Sequence, residues 1–281
     1  MAAVTLVALA DAIAAAAGRL AAAGVDSPRH DAEELAAHVL GVRRGALPTL
    51  ASIDAAAYEP LVARRVDREP LQHLTGVTGF RYLELLVGPG ALVPRPETEL
   101  VAGAAVEAAR ELPAAVVVDL GTGTGAIALA VAAEVPGSVV HAVEPDPAAL
   151  AWAARNVEAT GHRVTLHLST AAEALPELAG TVDVVVSNPP YLPDGTEVGP
   201  EVAHDPDLAL WGGPDGLTVV REVVAAAARL LRPGGVMVVE HDQRHAAVVR
   251  SLLADSPSWT GELTHRDLTG RERFVTARRA P

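Results

Sequence analysis

Apolar residues recur at helical spacing in three stretches near the start of the chain. The first predicts a helix over residues 4–23 that stops before Gly24, a residue type that commonly follows a helix. The second opens at Pro28, which suits the first helical position, and runs to Gly41. The third covers residues 53–68. Together these stretches predict a small helical bundle.

The helical period is lost after this bundle. Residues 71–92 gain β-prone side chains, and two glycines in this segment provide turns, so the pattern predicts a β-hairpin. We therefore expect an N-terminal helical domain over residues 1–70, a hairpin linker over 71–93 and a larger domain over 94–281.

Helices and strands alternate through the larger domain. The predicted helices cover residues 97–110, 126–135, 147–160, 217–231 and 245–255, and the predicted strands cover residues 116–120, 139–143, 164–168, 182–187, 236–240, 259–265 and 273–277. Continuous apolar runs such as VDVVVS and VMVVE are typical of a parallel sheet that is covered on both faces. The alternation predicts a doubly wound, seven-stranded α/β domain of the Rossmann-like type.

Composition narrows the range of functions. The 281 residues include no cysteine, which excludes disulfides, thiol catalysis and cysteine-ligated zinc. No apolar run reaches the roughly 18–20 residues that span a bilayer, and the alanine-rich start lacks a basic segment. We therefore expect a cytoplasmic protein that does not bind membranes. The net charge of −13 argues against an extended phosphate backbone as a partner.

A glycine-rich turn follows the predicted strand over residues 116–120. It comprises Gly121, Thr122, Gly123, Thr124 and Gly125, and it opens the next helix. Glycines there let a ligand approach backbone N–H groups at a helix N-terminus. Glu144 ends the following strand and can accept hydrogen bonds from the hydroxyls of a ribose. By itself, the loop is also compatible with another nucleotide site or with a tight turn, and Glu144 with a solvated carboxylate at a strand end. The G-x-G-x-G spacing departs from the G-x-G-x-x-G dinucleotide fingerprint, which argues against NAD as the ligand.

A second motif, Asn188-Pro189-Pro190-Tyr191, follows the fourth strand of the predicted sheet. Open α/β sheets bind ligands at this edge. The Asn188 amide oxygen and the Pro189 carbonyl are two acceptors that suit the two hydrogens of a planar –NH₂ group, and the prolines stiffen the turn. A Pro-Pro turn by itself more often only stiffens a loop. The flanking Asn and Tyr, together with the earlier glycine loop, favour a binding role.

These two motifs resemble those of class I methyltransferases that use S-adenosylmethionine and act on a planar amino or amide nitrogen. Three further segments resemble the PrmC/HemK family, the N5-glutamine methyltransferases of peptide chain release factors. They are E-P-L-Q at residues 69–72, P-G-A-L-V-P-R-P-E-T-E at residues 89–99 and G-G-P-D-G-L at residues 212–217. The resemblance covers nearly the whole chain.

The resemblance implies roles for the residues that match the family's motifs. Residues 121–125 are expected to hold the methionine part of S-adenosylmethionine, and Glu144 its ribose. The motif over residues 188–191 is expected to bind the target glutamine amide, with Asn188 and Pro189 as catalytic residues and Asn188 also near the cofactor. The helical domain is expected to recognise the substrate proteins, release factors 1 and 2, and the chain to act as a monomer without a metal or direct nucleic-acid contact.

Three further segments lie outside these motifs. The resemblance also implies that residues 95–99 lie beside the cofactor, and Thr98 and Glu99 of this segment are expected to cap the next helix. Relatives often have an acidic residue after the third strand, but this chain has Ser169-Thr170-Ala171 there, so no adenine contact is assigned. His241 and His245 lack metal-site spacing and are expected at the surface.

Two alternatives remain open. N6-adenine methylation of nucleic acid uses the same acceptor pair, but it calls for a basic groove and stacking aromatics. Aromatic residues make up only 3% of the chain, and residues 164–220 contain nine acidic and no basic residues, apart from histidines. That acidic segment includes the Asn-Pro-Pro-Tyr motif and suits a basic protein loop. The second alternative is a non-catalytic module that binds a nucleotide only to dock a partner.

Overall fold

The computed structural model describes residues 5–281, which form two compact units. One contains the described residues up to Val77 together with Val198–His204. The other contains Thr78–Glu197 and Asp205–Pro281. No helix within residues 5–281 is long and apolar enough to cross a membrane.

The first unit is a helical bundle with a two-stranded sheet. Its elements are β1 (Leu6–Ala8), α1 (Leu9–Ala22), α2 (Pro28–Leu40), a 3₁₀ helix (Arg44–Thr49), β2 (Ser52–Asp54), α3 (Ala55–Val66), α4 (Leu71–Thr75) and, after a long interval in the sequence, a 3₁₀ turn (Val202–His204). Leu20 and Leu35 are fully buried between the helices. The buried Tyr58 hydroxyl donates to the Ala32 carbonyl at 2.9 Å, so this small core satisfies its own polar group.

Two details of the first unit differ from the expectation. The predicted helix over residues 4–23, whose first residue lies outside the described residues, begins only at Leu9. The preceding three residues instead pair antiparallel with Ser52–Asp54. The segment predicted as a hairpin begins with α4, which ends at Gly76 in the left-handed conformation. Both differences arise from short elements whose partners lie elsewhere in the sequence.

The second unit contains the hairpin and the large sheet. Its helices are α5 (Thr98–Arg110), α6 (Ala126–Glu134), α7 (Pro147–Thr160), α8 (Asp207–Leu210), α9 (Thr218–Leu230) and α10 (Ala246–Ala254), with 3₁₀ turns over Pro176–Leu178 and Gln243–His245. Its strands are β3 (Val77–Phe80), β4 (Leu83–Leu86), β5 (Val116–Leu120), β6 (Val139–Glu144), β7 (Thr165–Leu168), β8 (Val182–Ser187), β9 (Leu231–Glu240), β10 (Trp259–Arg266) and β11 (Glu272–Arg279).

The large sheet has seven strands in the order β10-β11-β9-β8-β5-β6-β7. The five strands from β7 to β9 pair in parallel, as expected from their apolar runs. The last two strands depart from a purely parallel sheet, because β11 pairs antiparallel with both β9 and β10. A short turn joins β10 to β11, and a connection of that length permits only an antiparallel pair.

Alternate residues of the strands face opposite layers of helices. Val117 and Val184 pack into a cluster with α5 and α6, whereas Val118 and Val185 pack into a cluster with α9 and α10. All four are buried. Both faces of the sheet are therefore covered by helices, which explains why β5 and β8 lack alternating polar residues.

The strand order reverses at β5. The next strand, β6, pairs on one side of β5, and β8 pairs on the other. This arrangement opens a crevice at the carboxyl ends of the strands, where open α/β sheets bind ligands. Ser187 at the end of β8 donates to the Leu120 carbonyl at the end of β5, with 2.6 Å between the oxygens. The two sequence motifs therefore start from neighbouring, hydrogen-bonded strand ends.

Candidate active site

The glycine loop links β5 to α6 by a turn that side chains would hinder. Gly121, Gly123 and Gly125 all have positive φ angles, of 75°, 58° and 83°. A Cβ atom at Gly121 or Gly123 would meet no atom within 4 Å, so the backbone at these positions is open. At Gly125 a Cβ would lie 3.3 Å from the Leu129 side chain, because the loop packs onto the following helix. The loop therefore presents bare backbone beside a helix N-terminus.

Glu144 lies across from this loop at the end of β6. Its carboxylate accepts hydrogen bonds from the Gly123 amide at 2.8 Å and from the Asp146 amide at 3.0 Å. Burial raises the pKa of Glu144, while these two amide bonds oppose the shift. Each carboxylate oxygen has a second lone pair, so both oxygens can still accept from a bound hydroxyl.

Asp119 is a site residue that the sequence reasoning missed. It lies within β5, is fully buried, and its Oδ2 accepts from the Thr122 hydroxyl at 2.6 Å and from the Ala128 amide at 3.2 Å. Its Oδ1 is buried and has no hydrogen-bond partner within residues 5–281. Burial raises the pKa of Asp119 to about 7. The sequence does mark Asp119 as unusual, because it is a charged residue inside an apolar strand.

Asn156 is a second residue that the sequence did not reveal. It lies on α7, is fully buried, and donates to the carbonyls of Thr124 and Leu86 at 2.9 Å each. Its Oδ1 accepts from the Leu86 amide at 2.7 Å. One side chain thus ties the glycine loop to the end of β4.

The Asn-Pro-Pro-Tyr motif follows β8 directly. Pro189 is buried, whereas Asn188, Pro190 and Tyr191 are partly exposed. Asn188 donates from its side-chain nitrogen to the Thr98 hydroxyl at 3.1 Å. The Tyr191 hydroxyl donates to Glu240 at 3.2 Å. No group in residues 5–281 donates to the Asn188 Oδ1 or to the Pro189 carbonyl.

The G-G-P-D-G-L segment supports that motif through backbone contacts. A Cβ atom at Gly212 would lie 2.7 Å from the Pro190 carbonyl oxygen, and one at Gly216 would lie 2.5 Å from the Tyr191 carbonyl oxygen. The Gly212 amide donates to the Leu192 carbonyl at 2.8 Å. Glycine is required at both positions because two backbone segments touch there.

The segment over residues 95–99 contacts the Asn-Pro-Pro-Tyr motif through Thr98. Arg95 forms an ion pair with the buried Asp205. The prediction that Thr98 and Glu99 cap α5 was wrong: Glu97 occupies the N-cap position, and no side-chain capping bond forms. The Thr98 hydroxyl instead donates to Glu240 at 2.8 Å, and Glu99 accepts from the Arg81 amide at 3.0 Å. Both side chains are used for tertiary contacts rather than for the helix end.

A cleft joins several of the predicted site residues. Gly121, Thr122, Gly123, Thr124, Glu144 and Asn188 line it, as do Arg95 and Thr98. Gly125, Pro189, Pro190 and Tyr191 are not among the lining residues, and neither is Thr170. The structure therefore brings the glycine loop, the acidic residue of β6 and Asn188 to one cavity.

His241 and His245 are buried in the structure. The prediction that His241 and His245 are surface residues was wrong, since they are 0% and 7% exposed. The His241 amide donates to the Arg273 carbonyl at 2.8 Å, so β11 covers this strand end. Within residues 5–281, no group of three or more His, Asp or Glu side chains is arranged to hold a metal ion.

Comparison with known proteins identifies the family. Residues 11–76 match the model of the PrmC N-terminal domain, and residues 103–205 match the methyltransferase small domain. The chain is 53% identical over 274 residues to the release factor glutamine methyltransferase of Streptomyces coelicolor, covering 95% of this chain and 97% of that protein. It is 54% identical over 273 residues to the protein of the same name from Mycolicibacterium smegmatis, covering 95% and 96%.

A solved structure supports the fold. The 16S rRNA N2 G1207 methyltransferase of T. thermophilus, in complex with AdoMet and guanosine, superposes with a TM-score of 0.52 at 24% identity, over 72% of this chain and 49% of that one. This likeness confirms the class I methyltransferase fold expected from the strand pattern. The two curated relatives and the N-terminal family model show that the chain belongs to the release factor glutamine methyltransferase family.

Proposed function

We propose that this chain transfers a methyl group from S-adenosylmethionine to the side-chain amide nitrogen, N5, of the glutamine in the Gly-Gly-Gln motif of release factors 1 and 2. The observation that carries the proposal is the position of Asn188. Asn188 lines the same cleft as the glycine loop and Glu144, and its side chain carries an amide oxygen. A methyl donor and a target amide can therefore meet in one cavity.

The residues of the cleft fit S-adenosylmethionine. Open backbone at Gly121 and Gly123 suits close approach of the methionine part, and Glu144 suits a ribose. When bound, S-adenosylmethionine supplies a methyl group on a positively charged sulfur, which is displaced in line by the attacking nitrogen. Every other contribution comes from the position of the protein groups.

The target amide is a poor nucleophile because its nitrogen lone pair is delocalised into the carbonyl. Two acceptors facing its N–H groups, Asn188 Oδ1 and the Pro189 carbonyl, hold the nitrogen toward the methyl donor. They also interact more strongly with the nitrogen as it gains positive charge, so they favour the transition state over the ground state. As the bond from sulfur to the methyl group breaks and the bond from nitrogen to it forms, the cationic amide nitrogen becomes strongly acidic and releases its proton to solvent, so no carboxylate or histidine is required at the nitrogen.

The proposal extends to the roles of the domains, the partner and the location. We assign the helical domain, residues 1–70, to recognition of the release factor, residues 71–93 to a linker and residues 94–281 to methyl transfer. Four of the nine acids in residues 164–220 form ion pairs with arginines, and the charge of the other five suits a basic loop of the protein substrate. The reaction takes place in the cytoplasm, and one copy of the chain is sufficient for it.

The test is methyl incorporation into purified release factors, measured by mass spectrometry. The chain is expected to add one methyl group to the glutamine of the Gly-Gly-Gln motif, and a release factor with alanine at that glutamine is expected to gain none. An adenine-containing oligonucleotide serves as the competing substrate. Methylation of the oligonucleotide alone would replace the proposal with the adenine alternative, and turnover of neither would favour a binding module.

A variant of Asn188 separates catalysis from cofactor binding. Asn188→Ala is expected to lower kcat roughly 100-fold or more, as loss of a charge-stabilising group does. Calorimetry is expected to show nearly unchanged cofactor affinity. Gln243→Ala is the matched control, because Gln243 carries the same carboxamide on the exposed surface. Loss of cofactor binding in Asn188→Ala would contradict this division of labour.

A further inference from the structure

Glu240 is a buried carboxylate next to the glutamine-binding motif. It ends β9, is 0% exposed and forms no ion pair within residues 5–281 at ordinary salt-bridge distance. Its two oxygens are used separately: Oε2 accepts from Thr98, and Oε1 accepts from Tyr191. Burying a carboxylate without a paired cation is costly, so its retention at this place calls for an explanation.

The order of donors and acceptors around Glu240 determines how Asn188 is oriented. An ionised carboxylate can only accept, so the Thr98 hydroxyl must donate its single hydrogen to Glu240. The Thr98 oxygen can then only accept from its other neighbour, Asn188. Asn188 therefore turns its NH₂ group toward Thr98, at 3.1 Å, and its oxygen away from it.

We infer that Glu240 is a positioning residue for methyl transfer, which acts through Thr98 to keep the Asn188 oxygen facing the target amide and which holds Tyr191 of the same motif. The inference rests on the proposed function, because it assigns the amide-accepting role to Asn188. Without the carboxylate, the Thr98 hydroxyl is free to donate to Asn188. The amide can then turn over and present NH₂ to the substrate, where two donors would face each other.

The inference depends on the charge of Glu240. Burial raises the pKa of Glu240 to about 7; the nearby Glu97 adds to this shift, and Arg273 and the hydroxyls of Thr98 and Tyr191 oppose it. Protonation gives one oxygen a hydrogen to donate, which removes the constraint on Thr98. The positioning effect is therefore present above about pH 7 and is lost as the pH falls through that value.

Three variants test the relay with release factor as substrate. Glu240→Gln keeps the shape of the side chain but has only one oxygen, so it cannot accept hydrogen bonds from both hydroxyls. It is expected to lower kcat about tenfold or more and to leave cofactor affinity within about twofold of the wild-type value. Thr98→Val removes the hydroxyl and is expected to show a similar loss. Thr98→Ser keeps the hydroxyl and is expected to retain most of the activity. Glu222→Gln, an exposed carboxylate on α9, is the matched control.

Two further readouts distinguish positioning from a structural role. The double variant Thr98→Val with Glu240→Gln is expected to have the same kcat as the slower single variant, because both changes break the same hydrogen-bond relay. The acid limb of kcat in the wild-type protein is expected to have its midpoint near pH 7 and to disappear in Glu240→Gln. Wild-type kcat in Glu240→Gln, or equal losses in Thr98→Ser and Thr98→Val, would overturn the inference.

The outcomes also separate this inference from the proposed function. If the wild-type protein does not methylate release factors, the proposed function fails. If it does and Glu240→Gln remains as active, only the positioning role fails. Should Glu240→Gln not fold, as judged by thermal denaturation, the comparison of Thr98→Ser with Thr98→Val still decides the question, because it leaves the carboxylate in place.

Discussion

Asn156 ties the glycine loop to the end of β4 through three hydrogen bonds. Replacing it with alanine removes three hydrogen bonds, to the Thr124 carbonyl and to both backbone groups of Leu86. Each buried polar group left without a partner costs about 1–3 kcal/mol. Because Leu86 is partly exposed and water can reach it, we expect Asn156→Ala to lower the free energy of unfolding by about 3–5 kcal/mol.

The assay is denaturant unfolding followed by circular dichroism, together with calorimetric binding of the cofactor. Cofactor affinity is expected to fall as well, because Thr124 belongs to the loop that lines the cleft. Glu158→Ala is the control: Glu158 is exposed on the same helix, and its loss is expected to change stability by no more than about 0.5 kcal/mol. A loss below about 1 kcal/mol in Asn156→Ala would refute the claim that these bonds hold the loop.

Three other predictions concern the motif, the buried acid and the charge of the surface. Gly212→Ala is expected to destabilise the protein by about 1–3 kcal/mol, because its Cβ would lie within 2.7 Å of two backbone carbonyl oxygens. Gly199→Ala is the control and is expected to leave stability unchanged, because its Cβ would meet nothing within 4 Å. Equal stabilities of the two variants in a melting assay would count against the contact. The pKa of Asp119 is raised on folding, chiefly by burial and slightly by the Glu144 charge, so its contribution to stability is full at low pH and is lost as the pH rises through about 7. Asp119→Asn is therefore expected to gain stability relative to the wild-type protein as the pH rises from about 4 to about 7, with no further gain above about pH 8. A difference independent of pH would show that Asp119 is not the titrating group. Because residues 164–220 are acidic, kcat/KM for the release factor is expected to fall as salt rises, whereas a salt-independent value would argue against a basic partner loop.

The sequence predicts the central strands of the large sheet well because β5 and β8 are nearly continuous apolar runs. It misses the start of β9, which begins at Leu231 and not at residue 236. The predicted limits of β5, β8 and α7 agree with the structure at every residue. The pairing of β1 with β2 escaped prediction because each strand has three residues and its partner lies more than forty positions away. Such short strands have no period of their own and form only when the bundle brings them together.

The site was predictable only as far as its residues are close in sequence. The glycine loop and the Asn-Pro-Pro-Tyr motif are contiguous, so their chemistry can be inferred from the residues. Thr98 and Glu240 are 142 positions apart, and their hydrogen bond exists only once α5 and β9 are packed together. The same distance explains the error on the cap, because the local pattern at Thr98 gives no sign of a stronger tertiary partner.

Asp119 and Glu240, two fully buried acids near strand ends, interact with threonines in the same way. Asp119 binds the hydroxyl of Thr122, and Glu240 binds the hydroxyl of Thr98. In each pair the carboxylate takes the only hydrogen of the threonine, so the threonine oxygen faces its other neighbours as an acceptor. Both threonines line the cleft, and for Thr98 the second neighbour is the NH₂ group of Asn188. A buried carboxylate behind a threonine thus fixes the direction of a hydrogen bond at the surface of the cleft, and it does so without exposing a negative charge beside the reacting nitrogen.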